Sequence, residues 1–314
     1  MNTAAQENLL ELLSLLEAAN YQFTAVTPAT HARIVAREAA AEAQDLRDVF
    51  GWNLPFGEDL LPASMLRSLR RAGAIEGRNG LLRSKVRVAR LGSRLFLHSA
   101  FPTDVENAVF FGPDTYRFAR FLAGELPKLR GATRLVDVGA GTGAGGILAA
   151  GLLPALQVTL TDLNQEALRL AAVNARHAGV DAELVLGSGL EAVEGLVDVI
   201  IANPPYIMDE DDRTYRDGGD MLGAKLSLDW VIEGARRLQP GGCMLLYTGV
   251  AIVRGRDFFL EAVTEKLEFL GCTLRYEEID PDVFGEELDK KPYGAVDRIA
   301  AVGVVLKALG GRAA

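Results

Sequence analysis

The chain has 314 residues, of which 49% are hydrophobic and 24% charged, and its formal net charge is −9. At about 150 residues per domain this is enough chain for two domains, and the composition excludes a disordered or collagen-like polypeptide. No apolar run reaches the ~18 residues that span a bilayer, and acids stand where a secretory leader would carry Lys or Arg, so the expectation is a cytoplasmic protein with no membrane partner. Cys243 and Cys272 lie far apart, and His31, His98 and His177 lack ligand spacing. Neither a disulfide framework nor a metal site is expected.

Leu9, Leu10, Leu12, Leu13 and Leu16 return at intervals of three and four, which predicts an N-terminal helix, and the Ala-rich run from His31 to Phe50 reads as further helix. A helix from about Ala63 to Ala74 precedes the turn signal Glu76-Gly77-Arg78-Asn79-Gly80. Two strand-like runs follow, Leu82 to Ala89 and Arg94 to His98, joined at Leu91-Gly92-Ser93. Residues 61–100 hold nine Lys/Arg and one acid inside an otherwise acidic chain. Helix, hairpin and basic surface read either as a winged helix or as a small α+β cap whose arginines are solvated. Residues 1–105 are therefore expected to form a helical, winged-helix-like recognition domain. If that surface grips RNA or DNA, Arg67, Arg70, Arg71, Arg83, Lys85 and Arg87 are its phosphate contacts.

From Thr133 the pattern changes to alternating strands and helices: strands at Arg134–Val138, Val158–Leu160, Leu184–Leu186, Val197–Ala202 and Cys243–Tyr247, with helices between them. This predicts an α/β domain over residues 106–314 with a mostly parallel sheet. Thr273–Ile279 and Arg298–Leu306 lack a helix between them and should close the sheet as an antiparallel hairpin.

The first of these strands runs into Val138-Gly139-Ala140-Gly141-Thr142-Gly143-Ala144-Gly145-Gly146 and then a helix, the arrangement that lets backbone approach a ligand at a helix N-terminus. Read from Gly141, the string satisfies the dinucleotide fingerprint. However, Asp137 would repel a pyrophosphate and suits a cationic amino-acid ligand, and no hydride-transfer site accompanies the loop. The next strand ends in Thr161-Asp162-Leu163-Asn164, where Asp162 can accept both ribose hydroxyls of an adenosine ligand or cap the following helix. At this point the sequence resembles class I S-adenosylmethionine methyltransferases. The resemblance implies a seven-stranded Rossmann-like sheet with S-adenosylmethionine as cofactor. It implies Asp137, Gly139, Gly141 and Gly143 at the methionine moiety, and Asp162 with Leu163 at the ribose. Where that family often carries an acid for the adenine amine, this chain has Gly187-Ser188-Gly189-Leu190, which leaves Ser188 or the backbone to read the base.

Val197–Ala202 runs directly into Asn203-Pro204-Pro205-Tyr206. The two prolines fix the backbone outside the ladder and hold Asn203 at the edge where ligands bind. A planar amide or aromatic amine has a delocalised lone pair. An Asn oxygen and a Pro carbonyl accepting its two hydrogens would favour pyramidal nitrogen, while Tyr206 stacks on the planar group. No titrating base is needed. The tetrapeptide resembles the signature of two groups, the protein glutamine N5-methyltransferases that modify release factors and the N6-adenine methyltransferases of RNA or DNA. Phe111-Gly112-Pro113-Asp114-Thr115 looks like the Pro-Glu-Thr element of the glutamine enzymes, which implies Thr115 at the cofactor pocket. A non-catalytic nucleic-acid-binding module is the remaining alternative. The acidic run from Asp209 to Asp220 reads as a substrate lid hinged at Gly218 and Gly219 or as a solvated loop. Its charge favours a protein substrate over a phosphate-bearing one.

Overall fold

A computed structural model describes residues 3–103, 105–208, 217–267 and 269–310. The chain divides into two compact units, one made of Met1–Tyr116, Gly141–Ala144 and Gln165–Asp181, the other of Arg117–Ala140, Gly145–Asn164 and Ala182–Ala314.

In the first unit, α1 (Thr3–Ala18) buries Leu9, Leu12, Leu13 and Leu16, the stripe read from the sequence. The stretch expected to be helical from His31 to Phe50 is broken into α2 (Pro28–Val35), a 3₁₀ turn and α3 (Leu46–Phe50), because Thr27 and Asp45 each cap a new N-terminus. Next, α4 (Ala63–Ala72) packs on α1. The expected turn is shorter than predicted: Asn79-Gly80 alone reverses the chain, and β1 (Ile75–Arg78) pairs antiparallel with β2 (Leu81–Ser84). The single strand expected from Leu82 to Ala89 is interrupted at Lys85, whose N–H donates to the Ala74 carbonyl. A second hairpin, β3 (Val86–Leu91) with β4 (Arg94–Ser99), follows.

These hairpins consume part of the basic segment, which corrects the expectation for Arg83 and Arg87 as phosphate contacts. Arg83 donates to the Asn53 and Phe101 carbonyls at 3.0 and 2.8 Å, and Arg87 is buried and donates to the Ser99 carbonyl at 2.9 Å. Each of these carbonyls takes up a guanidinium N–H that a phosphate contact would otherwise use. Arg70 pairs with Glu58, whereas Arg67, Arg71 and Lys85 face solvent.

Arg87 and His98 are cross-strand neighbours. Arg87 can only donate, so its 3.3 Å contact with His31 Nδ1 places the imidazole proton on Nε2, which bonds the Trp52 carbonyl at 2.9 Å. The His98 ring stacks on Phe111, and neither of its nitrogens has a partner among the described residues. Burial, reinforced by the Arg87 charge, lowers His31 to about 4 and holds His98 well below the usual imidazole value. Both groups therefore stay neutral in the folded state while the unfolded chain takes up protons below about pH 6.5, so their contribution to stability is present above that pH and is lost as pH falls toward 4. Urea midpoints measured between pH 7 and pH 5 should fall. His98→Phe, which keeps the stacked ring and removes two unpartnered nitrogens, should flatten that fall and raise stability by about 1 kcal/mol.

The second unit is built on one sheet. In chain order, α5 (Pro113–Glu125) is followed by β5 (Arg134–Val138), α6 (Ala144–Leu152), β6 (Gln157–Asp162), α7 (Gln165–His177), which belongs to the first unit, β7 (Ala182–Leu186), β8 (Val197–Ala202), α8 (Lys225–Arg237), β9 (Leu238–Val253), the two-residue β10 (Arg256–Asp257), α9 (Phe258–Leu267), β11 (Cys272–Asp280) and β12 (Arg298–Ala308). The spatial order is β11-β12-β9-β8-β5-β6-β7. Neighbours from β7 to β9 pair in parallel, and β12 runs antiparallel between β9 and β11. This is the mostly parallel, Rossmann-like sheet with a closing antiparallel pair that the resemblance implies. The strand expected at Cys243–Tyr247 extends to Val253 because β12 pairs with it continuously from Lys307 to Arg298.

Val136, Ile200, Leu246 and Val304 on the strands and Val231 and Val263 on α8 and α9 belong to one buried cluster. The crossover helix α7 groups with the first unit, where it packs on α1 and β4. There, Asn174 accepts from the Leu97 N–H and donates to the Leu97 and Thr142 carbonyls. No helix among the described residues is long and apolar enough to cross a membrane.

Candidate active site

Strand order reverses between β5 and β8, because the chain leaves β5 toward β6 and β7 and then returns to β8 on its other side. Register sets Val138 beside Thr161 and Ala202, so the carboxyl ends of β5, β6 and β8 lie abreast at the switch point where open α/β sheets bind ligands.

The loop after β5 carries positive φ at Gly139 (65°), Gly141 (54°) and Gly143 (77°), and Ala140 N–H donates to the Thr161 carbonyl at 2.9 Å. A Cβ on Gly139 would stand 2.7 Å from the Trp230 ring. Gly139→Ala therefore combines a disfavoured backbone conformation with overpacking and should cost about 1–3 kcal/mol, read as a lower urea midpoint. Asp137, placed at a ligand's amino group by the resemblance, is 2% exposed, and its Oδ2 accepts from Gly146 N–H at 2.7 Å. Burial, with a smaller push from Asp162, raises its carboxyl to about 7. It braces the start of α6.

Asp162 ends β6 half-buried, and its Oδ1 accepts from Asn164 N–H at 2.8 Å, which closes a turn ahead of α7 and bonds no N–H within the helix. Leu163 is 53% exposed. Ser188 is exposed, and its carbonyl accepts from Glu191 N–H. Thr115 lies in the first unit, where its Oγ1 accepts from Gly112 N–H at 3.3 Å.

Sequence reasoning missed Trp230, Glu233 and Arg237. Their helical spacing aligns them along α8; Glu233 and Arg237 bond the segment after β7, and Trp230 lies beside Gly139 and Gly189. Glu233 Oε1 accepts from Leu190 N–H at 3.1 Å, and Arg237 donates to the Leu190, Val193 and Gly195 carbonyls. An acid thus reaches Gly189-Leu190 from a helix about 40 residues downstream, where local sequence reading found none. Burial raises the Glu233 carboxyl.

At the end of β8, Asn203 is half-buried and its amide has no hydrogen-bond partner among the described residues. Pro204 is buried and Pro205 half-buried. Tyr206, expected to stack on the planar group, is 6% exposed. Its ring meets Phe284 edge to face at 5.7 Å and lies so close to β9 that a Cβ on Gly249 would be 2.2 Å from it. Residues 209–216 of the expected lid lie outside the described residues. Gly218, expected to be a hinge, is instead wedged: its N–H donates to the Ile207 carbonyl at 2.8 Å, and a Cβ there would be 1.9 Å from the Gly223 oxygen. Backbone packed this closely on the tetrapeptide anchors the chain.

Residues 106–248 match the family described as the methyltransferase small domain. This stretch is a methyltransferase domain. Over 147 residues the chain is 38% identical to the release factor glutamine methyltransferase of Deinococcus radiodurans, covering 43% of this chain and 51% of that protein. It is 39% identical over 132 residues to the enzyme of the same name from Bordetella pertussis, covering 38% and 49%. Against the ribosomal RNA small subunit methyltransferase C of Hahella chejuensis it is 35% identical over 121 residues, covering 38% and 32%. The chain spans about half the length, or less, of these relatives.

Proposed function

We propose that this chain is an S-adenosylmethionine-dependent N-methyltransferase whose acceptor is the side-chain amide of a protein glutamine in a release-factor-type substrate. The observation that carries the reading is Asn203, a half-buried amide without a protein partner, held by two prolines at the switch edge beside the glycine loop. Supporting it, the release factor glutamine methyltransferases align with the methyltransferase domain.

The residues present fit the cofactor. Gly139 brings bare backbone to the strand end, and Asp162 offers a half-buried carboxylate for the ribose hydroxyls. Leu163 and Ser188 supply exposed apolar and polar surface at the adjoining strand ends. Asp137 acts through the loop by fixing the first turn of α6. S-adenosylmethionine, when bound, supplies an electrophilic sulfonium methyl. Asn203 Oδ1 and the Pro204 carbonyl accept the two hydrogens of the acceptor nitrogen and favour its pyramidal form, while Tyr206, fixed by Phe284 and Gly249, walls the slot.

A second reading, methylation of an adenine amine in RNA, is favoured by the exposed Arg67, Arg71 and Lys85 and by the ribosomal RNA methyltransferase relatives. Incubating the full chain with methyl-labelled cofactor, a purified release factor and ribosomal RNA together, followed by mass spectrometry of peptides and nucleosides, tests the choice. The expected product is a methylated glutamine in the protein. Label confined to RNA bases would replace the glutamine assignment with the second reading, and no transfer to either would defeat both.

A further inference from the structure

The first unit contains a cleft of about 670 Å³ whose walls include Phe23, Thr24, Arg47, Trp52, Arg90 and Tyr116, with no acid in its lining. Its size falls within the range of about 300–1,000 Å³ typical of small-ligand sites. The polar groups of its walls are biased to one sense. Arg90 is fixed by bonds from Nε and Nη2 to the Tyr21 carbonyl, at 3.2 and 3.0 Å, and from Nη1 to the Ser93 carbonyl at 2.8 Å; its remaining N–H groups are left for a ligand. Tyr116 accepts from Ala25 N–H at 3.0 Å, and its own hydroxyl hydrogen has no acceptor among the described residues. Nor do the Trp52 indole N–H and the exposed Arg47 guanidinium have a hydrogen-bond or ion-pair partner among those residues. The apolar part is the half-buried Trp52 ring, braced edge to face by Phe23, itself 5% exposed, with centroids 5.1 Å apart at 88°.

Fixed donors, two cations, no acid and an aromatic wall call for a ligand that combines negative charge with a flat apolar face. We propose that this cleft binds a nucleotide unit of single-stranded RNA, with its base against the aromatic wall and its phosphate at Arg47 and Arg90. An acidic peptide would satisfy the arginines but bring no flat face to Trp52. Stacking on aromatic side chains with cationic contacts to the backbone is a general mode of single-strand binding. This site takes Arg90 from the basic segment but none of the exposed Arg67, Arg71 and Lys85, most of its wall lies before residue 61, and it does not depend on the methyl-transfer reading.

Binding of the full chain to a fluorescently labelled ten-nucleotide oligouridylate or oligoadenylate, at about 50 mM salt and above, provides the test. Arg47→Ala should weaken binding about 10-fold and reduce the salt slope by about one unit. Thr24→Glu, which places an acid in the cleft from an exposed position, should weaken it further. Both side chains are exposed, and unchanged thermal unfolding would confirm that the variants fold. Free AMP should bind more weakly than the oligomer. The proposal is overturned if the parent binds no RNA at low salt, or if both variants bind as the parent does, which would move the site to Arg67, Arg71 and Lys85. It is equally overturned if polyglutamate displaces the label as well as unlabelled RNA does, or if AMP binds as tightly as the oligomer.

Discussion

Asn203→Ala should lower methyl transfer by about 100- to 1000-fold while leaving S-adenosylmethionine binding nearly unchanged. The proposed bond to the acceptor nitrogen strengthens as that nitrogen becomes pyramidal, so its loss falls on the transition state more than on the bound substrates, and removal of one preorganised polar group in such a site has this order of effect. The cofactor contacts proposed for Gly139 and Asp162 lie on the ends of β5 and β6, whereas Asn203 ends β8, so calorimetry of cofactor binding separates the two roles. Asn203 makes no hydrogen bond within the described residues; its truncation therefore removes no internal bond, and the variant should unfold at the parental temperature. Asn203→Asp keeps an acceptor of similar shape and should retain more activity than the alanine variant. Parental turnover by Asn203→Ala at saturating cofactor would reduce the tetrapeptide to a stiff turn.

Asp162→Ala should weaken cofactor binding about 10- to 150-fold, the equivalent of about 1.5–3 kcal/mol for hydrogen bonds to a charged acceptor. The structure adds a complication and its control. Because Oδ1 also accepts from Asn164 N–H, alanine removes a turn as well as a ligand contact. Asp162→Asn retains an oxygen for that turn but loses the charge, so it should unfold as the parent does while binding the cofactor less tightly. If Asp162→Asn binds S-adenosylmethionine with parental affinity and Asp162→Ala does not, the residue serves the turn before α7, and the ribose assignment is wrong.

Local patterns in the chain were enough to determine much of the second unit. β5 and β8 begin and end where their Val/Ile runs do, and the glycines after β5 and the two prolines after β8 mark strand ends by backbone chemistry that operates within a few residues. The leucine stripe of α1 was legible for the same reason, since a helical period is written in adjacent turns. Beyond that range the sequence was mute. That Tyr206 is covered depends on Gly249 and Phe284, more than 40 residues away, and that Glu233 meets Leu190 depends on how α8 lies over the sheet. The two faces of the basic segment show the limit most clearly. Arg83 and Arg87 look no different in sequence from Arg67 and Arg71, yet the Asn53 and Phe101 carbonyls engage the half-buried Arg83 and the Ser99 carbonyl engages the buried Arg87, while the second pair stays in water. Charge is a property of the residue, but its availability is set by which backbone oxygens the fold leaves unbonded beside it, and only tertiary structure decides that.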